Sequence, residues 1–171
     1  MKQPNQLKRS PKFSYAQLGT LSFAAAMLAL GAATAAQEPD DTTAIHQAVQ
    51  GYYDAFANDS PTAAQFFGEP TLIVLPKEVI TLTNRADIGA YISRVLAGLK
   101  ASGYSTTKLS EPRIKMLNRT TALFGAIAIR KKTDDTELQR VGATYLLHND
   151  SDGWKIHELI VTDVDKLIGA D

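Results

Sequence analysis

The chain has 171 residues, and its 18 lysines and arginines balance its 18 aspartates and glutamates. It has no cysteine, which excludes disulfides, thiol nucleophiles and thiolate metal centres. His46, His148 and His157 are its only histidines and fall in no H-x-x-x-H or H-E-x-x-H spacing, so neither a metal nor another cofactor is expected.

Lys2, Lys8, Arg9 and Lys12 precede an uncharged run, "LGTLSFAAAMLALGAATAA", from Leu18 to Ala36. A basic leader, an apolar stretch and small residues before a polar segment make a secretory signal, with cleavage expected after Ala35 or Ala36. Residues 1–36 are therefore set aside as signal peptide, and export to the periplasm or beyond is expected. Four basic and no acidic residues lie in that segment, so the remainder carries a net charge of −4. With no basic run left, nucleic acid is not an expected partner, and no membrane association is expected after cleavage.

"QEPDD", residues 37–41, reads as a short linker. Ile45, Val49, Tyr52, Tyr53 and Phe56 then recur at three- and four-residue steps, one apolar face of a helix capped by Asp41 or Thr42. "NDSP" ends it, and Pro61 opens a second, short helix through "TAAQFF". "TLIVLP" and "VITLT" read as two strands joined at Pro76–Glu78. Asn84 caps a third helix whose stripe is Ile88, Tyr91, Ile92, Val95, Leu96 and Leu99, closed by Gly103. Four strand-like runs follow, "YSTTKLSEPRIKML", "TALFGAIAIRKK", "ELQRVGATYLLH" and "GWKIHELIVTD", separated by the turn chemistry of "NRT", "TDDT" and "NDSDG". Helices grouped ahead of successive hairpins predict an α+β fold with an antiparallel sheet.

This order, with "YYDAF" on the first helix and "GWKIHEL" on the last strand, resembles the nuclear transport factor 2-like, or SnoaL-like, superfamily. "AGLKASGY" and "ELQRVGATYLL…DGW" are similar to an uncharacterised bacterial branch of it. The resemblance implies a nuclear transport factor 2-like domain over residues 42–168. It also implies a cone-shaped, strongly curved antiparallel sheet wrapped around N-terminal helices, a cystatin-like roll with a pocket at its wide end. It does not fix a reaction, because the same cone hosts isomerases, cyclases, dehydratases and binding modules.

Turn positions predict which side chains share a face. If "TDDT" sets Lys132 opposite Glu137, then Phe124 meets Tyr145 and Arg130 meets Gln139. If "NDSDG" sets His148 opposite Trp154, then Tyr145 meets His157 and Val141 meets Val161. One face then carries Phe124, Ala126, Ala128, Arg130, Gln139, Val141, Ala143, Tyr145, His157, Leu159, Val161 and Asp163. Trp154 and Ile156 fall on the other face, which is also apolar and is expected to pack against a second copy in a homodimer. His157 and Glu158 are strand neighbours on opposite faces and cannot act as an adjacent pair.

The candidate catalytic residues are His157, as acid or base, and Tyr145 orienting it. The candidate pocket residues are Tyr53, Phe56, Phe124, Arg130 and Asp163. A small apolar ligand is the expected occupant, which makes a non-catalytic binding domain the leading expectation. The alternatives are a cofactor-free isomerase, cyclase or dehydratase working by proton transfer, and a non-catalytic protein-interaction domain with a filled pocket.

Overall fold

The computed structural model describes residues 40–58 and 60–168. The segment expected to be a signal peptide and the start of the expected linker lie outside the described residues. Helix α1 (Asp41–Asn58) is followed by α2 (Ser60–Ala64), β1 (Phe67–Leu75), β2 (Glu78–Leu82) and α3 (Arg85–Ala101). Four strands complete the chain: β3 (Tyr104–Met116), β4 (Thr121–Lys132), β5 (Glu137–Asp150) and β6 (Gly153–Thr162).

Helix α1 buries Ile45, Val49, Tyr52, Tyr53 and Phe56, the five positions of its apolar period. Each such side chain contributes on the order of 1.5–3 kcal/mol through burial. The cap lies one residue ahead of the expected pair: Asp40 accepts from the Thr43 N–H at 2.8 Å and from the Thr42 hydroxyl at 2.5 Å. Helix α3 starts at Asn84, whose side chain accepts from the Asp87 N–H, and it buries Ile88, Ile92 and Leu96. The Arg85 side chain ties the start of α3 to the sheet by donating to the carbonyls of Ala64 and Phe67.

The strands form one six-stranded sheet in the order β2-β1-β6-β5-β4-β3. All neighbours are antiparallel except β1 and β6, which run parallel with Ile73 beside Leu159. Irregularities interrupt the ladder at Ser110/Arg113, Arg130/Lys131 and Leu146/Leu147. Each bulge bends its strand and tightens the local twist, so the sheet curls around α1. Small residues on the inner face, Ala126, Ala128 and Ala143, are fully buried and leave room for that helix.

Between β4 and β5 the register sets Phe124 opposite Tyr145, Ala126 opposite Ala143 and Arg130 opposite Gln139. The expected Lys132–Glu137 pair is replaced by Lys131–Glu137, because a bulge intervenes beyond Arg130.

The β5–β6 hairpin differs more from expectation. The strands continue to Asp150 and Gly153, which leaves a two-residue turn and sets Asn149, not His148, opposite Trp154. A second shift follows, because Leu147 faces Ile156 while Leu146 faces Glu158, and His157 is the extra residue between them. Tyr145 therefore faces Leu159, and the expected Tyr145–His157 pair does not form. Val161 pairs with Ala143 rather than Val141. The same shift turns Trp154 and Ile156 inward, 7% and 0% exposed, where the sequence had placed them on the outer face.

On the outer face the chain folds back after β6. Leu167 is buried, and Ile168 lies so close to Gly125 that a Cβ there would sit 2.7 Å from its Cγ1.

Candidate functional site

The site is a cavity of about 280 Å³ between α1, α3 and the inner face of the sheet. Tyr52, Tyr53 and Phe56 of α1 and Ile73 of β1 form its buried part, while Tyr91 and Val95 of α3, Leu75, Val141, Leu159 and Val161 are partly exposed around it. The apolar walls follow from periodicity: the α1 and α3 stripes converge on strand positions that share one face.

Its polar groups come from α1, α3 and the far ends of β4 and β5. Tyr53 and Tyr145 share a hydrogen bond between their hydroxyls across the α1–sheet interface, with rings edge-to-face at 6.5 Å. Arg130 donates from Nη1 to Gln139 Oε1 at 2.6 Å. Burial pushes the phenols of Tyr52 and Tyr145 well above their ordinary range and that of Tyr53 above it, while the Arg130 charge pulls all three back. Tyr91 and Tyr104 are also raised by burial and lowered by Arg130. All these phenols therefore stay protonated near neutral pH, as hydrogen-bond donors rather than bases.

The candidate residues divide clearly. Tyr53, Phe56 and Arg130 line the cavity. Tyr145 is 0% exposed and reaches the site only through Tyr53. Phe124 lies deeper, packed between His46 and Tyr145 at ring separations of 6.0 and 5.9 Å, and does not line the cavity. Asp163 follows the end of β6, is exposed, does not line the cavity and forms no ion pair with Arg130. Glu137, the other carboxylate near Arg130 in sequence, is held instead by two hydrogen bonds from Arg140 at 2.6 and 2.8 Å.

His157 lies outside the site. As the bulged residue of β6 it packs over Gly68 and beside the exposed His148, ring centroids 6.1 Å apart, with Nδ1 3.3 Å from the Pro70 carbonyl. The residues that sequence reasoning passed over are Tyr91, Ile92 and Val95 of α3 and Ile73 and Leu75 of β1. Tyr91 carried a usable signal, a polar-tipped aromatic on the edge of an apolar helical stripe. Among the described residues, no group of three or more His, Asp or Glu side chains is placed to hold a metal ion.

Helices laid in the hollow of a bent, unclosed sheet, with an apolar cavity between them, define a cystatin-like roll. The chain belongs to the family of NTF2-like proteins described as DUF6841, whose model matches residues 38–164. Among curated proteins, none matches.

Solved structures share the fold at low identity. An NTF2-like protein with a cystatin-like fold from Novosphingobium aromaticivorans is 16% identical, covering 76% of this chain and 86% of its own, with a TM-score of 0.62. A proposed ketosteroid isomerase from Shewanella frigidimarina is 18% identical over 70% of this chain and 94% of its own, TM-score 0.56. The yeast UBP3-associated protein BRE5 is 20% identical over 70% and 90%, TM-score 0.53. At such identities the likeness concerns the fold.

Proposed function

We propose that this chain is an exported small-molecule-binding domain whose ligand occupies the cavity between α1, α3 and the inner face of the sheet. The observation that carries this reading is the cavity itself: largely apolar walls, a few convergent polar groups and about 280 Å³ of open space. A protein-interaction domain with a vestigial pocket would instead have that space filled by side chains. A proton-transfer enzyme needs a base within reach of its substrate. No carboxylate or imidazole lines the cavity, and its tyrosines are held in their protonated form. Binding without catalysis is therefore the better supported reading. Export rests on the order of residues 1–36, and a homodimer on the apolar outer face of the sheet.

The test is ligand retention. Protein purified from its native host is expected to carry a small molecule, seen by native mass spectrometry and as density in the cavity of a crystal. The variant Ala143→Trp, which places an indole in the cavity, is expected to lose that molecule. A native protein whose cavity holds only water, and which binds none of a panel of small apolar compounds, would overturn the proposal.

A further inference from the structure

The cavity is rich in donors and poor in acceptors. Arg130 sits on the inner face between its cross-strand neighbours Thr107 and Gln139. It forms no ion pair with any described carboxylate, and its one side-chain hydrogen bond goes to Gln139 Oε1. That bond uses the amide oxygen of Gln139 and turns its NH₂ into a further free donor. Tyr52, only 6% exposed and on the cavity wall, makes no side-chain hydrogen bond among the described residues, and neither does Tyr91. In the Tyr53–Tyr145 pair one hydroxyl hydrogen is used between the two oxygens and the other remains.

Such an inventory has a chemical complement. A guanidinium, an amide NH₂ and phenolic O–H groups facing an apolar space lack a partner that is all acceptor and negatively charged. A carboxylate fits this description. Its two oxygens match the fork of an arginine, and its single charge matches the single cation present. A phosphate dianion would call for more positive charge, or for a nest of backbone N–H groups, than this wall supplies.

We propose that the ligand is a small organic carboxylic acid with an apolar, preferably aromatic, body: its carboxylate is held by Arg130 and Gln139, and its body lies among Tyr52, Tyr53, Phe56 and Leu159. This inference rests on the pocket reading above and narrows it. The cavity volume limits the body to roughly one aromatic ring and a short chain, since it lies just below the range for ligand pockets, about 300–1,000 Å³. The protonated phenols support the assignment, because they would repel an anion only if ionised.

The experiment is a calorimetric titration of the purified protein at pH 7.5 with phenylalkanoates, from phenylacetate to 5-phenylpentanoate, and with the corresponding alcohols. The best acid is expected to bind at least about tenfold more tightly than its alcohol, the equivalent of one charge-assisted hydrogen bond. Arg130→Gln is expected to remove most of that preference, because the acid loses its charge partner while both ligands keep the same apolar walls. Raising the salt concentration is expected to weaken the acid and not the alcohol, a contrast that needs no variant. Equal binding of acid and alcohol by the native protein, or a preference that survives Arg130→Gln undiminished, would overturn the carboxylate inference and leave the pocket reading intact. Failure of both series to bind would overturn the carboxylate inference, and the pocket reading falls with it only where the native protein also retains no molecule in its cavity.

Discussion

Three tyrosines at the centre of the molecule tie its stability to pH. Tyr52, Tyr53 and Tyr145 are 6%, 7% and 0% exposed, and burial raises the pKa of each phenol in the folded state. In the unfolded chain they titrate near the ordinary tyrosine value of about 10. Above that pH the unfolded state sheds protons that the folded state keeps. Their contribution is thus complete below pH 10 and declines as pH rises toward the folded values. The melting temperature is expected to be level from pH 7 to 9 and to fall steeply above 10. Tyr52→Phe and Tyr145→Phe should each make that fall shallower. An alkaline slope identical in the native protein and both variants would show that other groups govern it.

At the scale of elements, the seam between β1 and β6 holds a close side-chain contact. The imidazole of His157 occupies the place where a side chain at position 68 would begin, and a Cβ there would collide with Cε1 and Nε2 of the ring. Gly68→Ala is expected to cost about 1–3 kcal/mol, as overpacking does in an ordered interior. His157→Ala in the same chain should restore most of the loss, measured as a non-additive double-mutant cycle in urea. Additive losses would mean that the ring swings aside freely.

The same seam explains what the sequence could convey. The α1 and α3 stripes were legible because a helical period of apolar residues has one reading. The β4–β5 register was legible because the bulge near its turn leaves the pairs from Phe124 to Arg130 in phase. The β5–β6 register was not. "WKIHELIV" is apolar on both faces, so nothing in its alternation resists a slip, and the bulge at His157 has no local marker. With that register went the Tyr145–His157 pair. The cavity residues on β4 and β5 were readable from the face they share, whereas those on β1 and α3 depend on how distant segments meet.

For the molecule as a whole, the outer face of the sheet is the surface that bears on assembly. Leu72, Ile127, Ile129, Leu146 and Ile160 lie on that face, with Leu72 37% exposed, beside the returning segment that buries Leu167. Scattered apolar residues are ordinary on a surface, but a contiguous patch marks an interface. We propose a homodimer through this face. Light scattering on the eluting protein is expected to give twice the chain mass, and Ile160→Lys should halve it without lowering the helix and strand content seen by circular dichroism. A native protein that elutes with the mass of one chain would remove the dimer.

The strand order has a consequence for how the molecule comes into being. Strand β6, the last to be synthesised, lies between β1, the first, and β5. Until it emerges, the β1–β2 hairpin has no sheet to join, and β1 and β5 each present an unpaired edge. Contacts between segments so far apart in sequence form slowly, and open edges invite pairing with other chains. Any product of interrupted synthesis or proteolysis that ends before Gly153 therefore carries two unpaired edges where β6 would lie. Its fate is aggregation or degradation rather than partial function.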